Sequence, residues 1–243
     1  MNTKRVSFVF PVYNEEYIIE KTLLSYHKEF SGKLDFEMIV AEDGSTDKTK
    51  EILKRLEKEI PLKLHMHDGR KGYLKAIRDA LTHAQNEWIF LVDSDHQFNP
   101  EDFWKLWPSI NEYDLILGIK KDRKDGPLRL FLSKGYNILL KYIFSVPYED
   151  MDTGFRLFKK DMTDRVAPTI NKLGFFTAEF VIKAHDAGYK IKQIPVEHLN
   201  QKIRASNIFH IKKLPFIVGK ELLAIVKLFG EIRIRKTSAS QTK

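Results

Sequence analysis

The stretch Trp88-Ile89-Phe90-Leu91-Val92-Asp93-Ser94-Asp95-His96-Gln97 passes within ten residues from an unbroken apolar run to a cluster of carboxylates and amides. A short apolar run bounded by polar residues predicts a strand buried on both faces. The same transition occurs three times upstream. Val6-Ser7-Phe8-Val9-Phe10 leads into Pro11-Val12-Tyr13-Asn14-Glu15-Glu16. A strand expected from Glu37 to Ala41 runs into Glu42-Asp43-Gly44-Ser45-Thr46-Asp47, and one near Leu62–Met66 runs into Asp68-Gly69-Arg70-Lys71-Gly72. Between them, Ile19, Leu23, Tyr26 and Phe30 recur at helical spacing, as do Ile52, Leu53, Leu56 and Ile60, then Leu74, Ile77 and Leu81. Asn14 is expected to cap the first helix, with Glu15 and Glu16 in its first turn, where the helix dipole favours negative charge.

Downstream, Asn99-Pro100-Glu101 reads as another helix start, with a cap, a proline at the first position and an acid behind it. Asp114 to Gly118 is a fifth strand. Strands separated by helices imply right-handed crossovers and a mostly parallel sheet covered on both faces, the α/β class. In such sheets ligands bind beyond the carboxyl ends of the strands. The polar clusters fall at those ends, so four loops are expected to converge on one edge. The second half is less regular. Leu128 to Pro147 reads as an unusually apolar helix; Asp152-Thr153-Gly154-Phe155-Arg156 precedes a short apolar segment. Thr177 to Ala187 reads as a helix ending near Gly188, and Ile191 to Val196 as a strand.

The 243 residues suit one large α/β domain or one domain with an appendage, and their 43% hydrophobic content is that of a folded chain. No cysteine is present, which excludes disulfides, thiolate metal sites and a cysteine nucleophile. The net charge of +8 is concentrated at one end: from residue 201 onward ten Lys/Arg face two acids, and residues 1–200 are balanced. Such a segment seeks a polyanion. Lys213, Lys220 and Lys227 are seven apart, with Glu221 beside them, and the rest of the run from Leu214 to Phe229 is nearly all apolar. That pattern predicts a helix lying in a membrane interface with its lysines reaching the headgroups; the alternative is a core or dimer helix. Arg233, Arg235 and Lys236 add attraction to anionic lipid. Nucleic acid is a poor fit, since no groove-reading helix or stacking platform is recognisable there. No stretch reaches the ~18 apolar residues of a membrane-spanning helix. The start of the chain lacks a secretory-signal pattern, so the expected place is the cytoplasmic face of a membrane, peripherally. The division expected is a main α/β domain over 1–207 and a basic amphipathic tail over 208–243.

Asp93 and Asp95 close a strand where the chain turns, and two carboxylates there can hold a hard divalent cation, Mg²⁺ or Mn²⁺, with Gln97 adding an amide oxygen. Equally, such residues can simply turn the chain and cap the next helix. His65, His67 and Asp68 sit at alternate positions that are more often plain strand than metal site. Lys71-Gly72 lacks the Lys-Ser/Thr of a phosphate-cradling loop, and no G-x-G-x-x-G occurs, so nucleotide triphosphatase and dinucleotide readings lose their support.

Taken together, Pro11 to Glu16, Glu42 to Asp47, Lys71-Gly72-Tyr73, Asp93 to Gln97 and Asp152 to Arg156 resemble, in order, the motifs of the family-2 inverting nucleotide-sugar glycosyltransferases of the GT-A fold. Within that family they look most like the dolichol-phosphate mannose synthases and bacterial polyprenyl-phosphate glycosyltransferases. The resemblance spans roughly residues 5–207 and implies a GDP- or UDP-linked sugar donor and a polyprenyl or dolichyl phosphate acceptor. It implies that Pro11, Tyr13, Glu15, Asp43, Lys71 and Asp93 surround the nucleotide sugar, with Asp43 on the base. Asp93, Asp95 and Gln97 become metal and diphosphate ligands. Lys120, Arg129, Ser133 and Arg204 become the acceptor-phosphate cradle; Asp95, Asp152 and Arg156 line the catalytic centre, with Glu179 nearby. A second copy or a small membrane subunit would be further partners.

Three departures stand out. Glu42-Asp43 replaces Asp-Asp, and Lys120 stands where Arg is usual, keeping charge without bidentate geometry. The late His-x-x-Arg-x-x-Gly-x-Ser motif reads His198 to Ser206 with Gln201 and Arg204 in place of Arg and Gly. A phosphate acceptor is already anionic and needs positioning more than a base. An alcohol acceptor would need one, and Asp152 is the best candidate, unless it is a cap or loop contact.

Overall fold

The first strand, β1 (Val6–Val12), is buried along all seven residues, so its apolar side chains serve two cores at once. Around it the computed structural model describes residues 4–121, 127–170, 176–199 and 214–241. β1 is followed by α1 (Ile19–Phe30), β2 (Phe36–Glu42), α2 (Thr49–Leu56), β3 (Lys63–Met66), α3 (Tyr73–His83) and β4 (Trp88–Val92). Next come a short helical stretch containing α4 (Phe103–Leu106), then β5 (Leu115–Lys121), α5 (Pro127–Phe144), β6 (Phe155–Lys159) and α6 (Lys160–Val166). α7 (Phe176–Asp186), β7 (Ile191–Glu197) and α8 (Leu214–Gln241) complete the described chain. The strands form one sheet in the order β3-β2-β1-β4-β6-β5-β7. On one face Phe8, Phe10 and Phe90 pack with Tyr26, Phe30 and Phe103 from α1 and α4; on the other Val9, Ile39 and Leu91 pack with α3, α6 and α7.

The first four strands are parallel, as the alternation predicts. The apolar segment after Asp152 is the strand β6, antiparallel to both β4 and β5. Because it runs backwards, its beginning lies at the carboxyl edge, and the turn of residues 150–154 joins the loops of β1, β2 and β4 there. The cap expected at Asn14 is not formed. α1 starts at Ile19, and Asn14 takes the left-handed conformation (φ 54°). Its side-chain oxygen accepts from the Thr46 amide at 2.8 Å, tying the β1 loop to the β2 loop. Asn99 does accept from the Glu101 amide, and Gly188 (φ 84°) follows α7 as expected.

The expected boundary at 207 lies outside the described residues. Beyond it, α8 joins the core: Ala224, Ile225 and Leu228 are buried, Lys183 of α7 pairs with Glu231 at 3.1 Å, and Arg235 pairs with Asp186. Its other face is open, with Leu222, Leu223 and Val226 exposed beside Lys220 and Lys227. α5 packs against α8, with the Phe144 and Phe229 rings 6.3 Å apart. It presents Phe131, Ile138 and Tyr142, spaced along one helical face and 54–80% exposed. Among the described residues no helix is long and apolar enough to cross a membrane.

Candidate active site

Asp93 leaves β4 with its amide donating to the Gly154 carbonyl at 2.9 Å, which extends the β4–β6 ladder past its last pair, Val92 and Phe155. Its carboxylate occupies the space a side chain at Gly154 would need: a Cβ there would lie 1.7 Å from Asp93 Oδ2. The glycine of the Asp152-Thr153-Gly154 turn is therefore what lets strand and carboxylate lie side by side. The Tyr73 hydroxyl donates to Asp93 Oδ1 at 3.2 Å. Asp95 sits two residues on, one Oδ1 accepting from the Gln97 amide at 3.2 Å, and His96 between them takes a left-handed conformation (φ 55°) that turns the chain back. Ser94 is the anchor under this turn: its hydroxyl donates to the Pro11 carbonyl and its carbonyl accepts from Thr22, so the ends of β1 and β4 are held together.

Two carboxylates on one turn at the open edge of a sheet suit a hard dication that draws its remaining ligands from water and a diphosphate. Among the described residues no three His, Asp or Glu side chains gather into a metal site. The Gln97 side-chain oxygen is engaged elsewhere. Lys120 Nζ donates to it at 3.3 Å, and the His198 ring nitrogen Nε2 lies 3.2 Å from it. Lys120 also lies 5.1 Å from the centre of the Phe98 ring. Gln97 thus links the β4, β5 and β7 ends, a role with no sequence signal beyond its place in the motif.

Asp43 is buried, with its carboxylate turned onto the next loop: it accepts from the Lys71 amide at 2.7 Å and the Gly72 amide at 2.9 Å. Gly44 allows that approach, having φ +72° and no room for a Cβ, which would lie 2.4 Å from Gly69. Pro11 lies in the same edge of β1, and Glu15 is held by its amide on Thr49 at 2.8 Å. Tyr13 carries the Arg70 guanidinium over its ring at 4.1 Å, a contact sequence reading missed because Arg70 belongs to a different loop. The Lys71 side chain points away to Asp79 of α3, 3.2 Å off.

Arg156, expected among the catalytic groups, is fully buried in β6. Its guanidinium donates to the carbonyls of Met151, Thr153 and Thr177. Burial pulls its pKa below the ordinary value, while the charges of Asp93, Asp152 and Asp150 pull it back up. Arg156 is thus the buried countercharge beneath the acids and the clamp on the turn that presents Asp152. Asp152 itself accepts from the Thr177 hydroxyl at 3.0 Å, and Thr153 donates to the Gly118 carbonyl. Glu179 is buried on Lys183 at 2.7 Å. Ser133 lies half-buried on α5, its carbonyl accepting from Asn137. The Arg129 side chain and the whole of Arg204, Gln201 and Lys213 lie outside the described residues.

The profile of glycosyl transferase family 2 matches residues 7–167. The chain is 30% identical over 203 residues to glycosyltransferase AglD of Haloferax volcanii, covering 79% of this chain and 32% of that protein. It is 29% identical over 209 residues to dolichyl-phosphate beta-glucosyltransferase ALG5A of Trichomonas vaginalis, covering 79% and 65% respectively. The chain thus spans about a third of the first relative and slightly under two thirds of the second. Among solved structures, glucosyl-3-phosphoglycerate synthase of Mycobacterium tuberculosis, crystallised with Mn²⁺, UDP and phosphoglyceric acid, shares the fold. Its TM-score is 0.69 at 18% identity, over 93% of this chain and 79% of that one.

Proposed function

Because the chain belongs to glycosyl transferase family 2, we propose that it moves a sugar from a GDP- or UDP-linked donor to a polyprenyl or dolichyl phosphate at a membrane surface. The acceptor class is supported by the relative named a dolichyl-phosphate glucosyltransferase. The observation that carries the reaction is the meeting of Asp93, two residues before Asp95, with the 150–154 turn at the carboxyl edge of the sheet, with Lys120 of β5 beyond it.

In this reading Tyr13 and Arg70 offer flat faces to the base, and the loop clasped by Asp43 walls the nucleotide. Asp93 and Asp95 would hold Mg²⁺ or Mn²⁺, which when bound supplies charge to stabilise the departing nucleoside diphosphate. Tyr73 keeps Asp93 oriented, and Arg156 offsets the acids from below. Lys120 draws the anionic acceptor toward the anomeric carbon, where a phosphate oxygen attacks directly and inverts the centre. The donor oxygen leaves with the bonding pair, and no proton has to be removed. The open apolar face of α5 and α8, edged by lysines, would rest on the bilayer that holds the acceptor's lipid tail.

A hydroxyl acceptor is the second reading, favoured by one observation: the 152–154 turn lies against Asp93, so that Asp152 would stand near the site as a base. A panel of nucleotide sugars with Mg²⁺ or Mn²⁺ and a short-chain polyprenyl phosphate, run beside Asp95→Ala, separates the two. Metal-dependent formation of a lipid-phosphate sugar, reduced on the order of 10³-fold in the variant, is the expected result. Donor hydrolysis without lipid product would move the acceptor to a hydroxyl; no turnover of any donor would sink the glycosyl-transfer reading.

A further inference from the structure

Glu221 is the one acid on the first half of α8, in a stretch otherwise apolar or basic, and it faces inward. Its carboxylate accepts from the Tyr136 hydroxyl of α5 at 3.3 Å. Tyr136 is followed by Asn137, whose side-chain oxygen accepts from the Met151 amide at 3.0 Å, beside Asp152. Asp152 is near enough for its charge to act on both Tyr136 and Glu221. One turn before Tyr136 stands Ser133, which the family resemblance places in the acceptor-phosphate cradle. The same helix thus touches the 150–154 turn, carries the acceptor side and is gripped by α8.

We infer that Glu221 and Tyr136 form a strut through which α8, beyond the family-matched region, sets the position of α5 and so of the Asp152 turn. Both are positioning residues; neither reaches the reacting atoms. An acid in an apolar helix face is costly to hold against the protein unless a partner satisfies it. Leu or Ile there would pack at no such cost, so what the acid adds is a directional contact. Apolar contacts of Ile225 and Leu228 hold α8 against the domain without direction; the hydroxyl–carboxylate contact adds a directional tie between α8 and α5. The catalytic consequence rests on the proposed transfer reaction; the structural one does not.

The test uses the full chain and hydrogen exchange. Amide exchange of the 148–155 segment is compared in wild type, Tyr136→Phe, Glu221→Ala and Glu221→Gln, with Val6–Val12 of the central strand as the internal reference. The strut predicts several-fold faster exchange at 148–155 in Tyr136→Phe and Glu221→Ala, an unchanged reference, and rescue in Glu221→Gln, which keeps the acceptor oxygen. Where donor turnover is measured, kcat falls about tenfold while KM for the donor stays within about twofold. Unchanged exchange at 148–155, or an equal rise at the reference strand, overturns the inference. The exchange readout needs no substrate, so a protein that turned over no donor would defeat the proposed reaction and leave the strut to be judged on its own.

Discussion

At the scale of single residues, the site depends on places where a side chain is missing as much as on those where one is present. Gly154 has no left-handed backbone to excuse it; it is required because the Asp93 carboxylate fills the volume its Cβ would take. Gly154→Ala must push Asp93 from its place, and displacing a donor by about an ångström costs on the order of 10²-fold in turnover. Steady-state kinetics, with circular dichroism to show that the fold persists, checks this; a variant within threefold of wild type would mean Asp93 is not used where it stands. Asp93 and Asp95 were legible as a pair of carboxylates at a strand end. Arg156 was legible only as part of a motif, because nothing in a sequence distinguishes an arginine that meets substrate from one that binds three carbonyls. Arg70 was not legible at all: its partner Tyr13 is far away in the chain, and only the convergence of the two loops makes the contact.

Among elements, helices and parallel strands followed from periodicity, and the errors came where tertiary contacts outbid local preference. Asn14 is a good cap by type, but the β1 loop needs a left-handed residue that also bridges to Thr46, and asparagine does both. β6 was legible only as a short apolar segment, because Arg156 interrupts its apolar run and because strand direction leaves no mark on composition. Among the described residues α5 and α8 are the elements with an unmet face. Phe131, Ile138 and Tyr142 on one, and Leu222, Leu223 and Val226 on the other, form an open apolar surface edged by lysines. If that surface rests on a bilayer, Tyr142→Glu with Val226→Glu should cut co-sedimentation with anionic vesicles at least about tenfold. The thermal midpoint should stay unchanged, since both side chains are already in solvent. Equal sedimentation of variant and wild type would assign the face to something other than lipid.

For the whole molecule, α8 is the part whose meaning changes most between one dimension and three. Its sequence reads as a basic amphipathic tail, and it is also a wall of the core, pinned to α7 by Lys183–Glu231 and to α5 through Glu221. Burial, with a further push from Asp152, carries the Glu221 carboxyl up to about 7, against the opposing effects of Tyr136 and Lys220. The folded chain therefore binds this proton more tightly than the unfolded chain, whose carboxylate titrates near 4.5. Its contribution to stability is complete below that value and is lost as pH rises through about 7. Thermal midpoints from pH 4 to pH 8 should accordingly fall more steeply for wild type than for Glu221→Gln, with parallel curves as the contrary result. By itself the sequence determined the α/β class, the carboxyl-edge location of the polar loops and the family, because each is written in local periodicity and in contiguous motifs. Only the tertiary structure decided the reversal of β6, the burial of Arg156, the engagement of Gln97 by Lys120 and the grip of α8 on α5. Those depend on which distant side chains compete for the same carbonyls, carboxylates and space, and that competition does not exist until the sheet has closed around them.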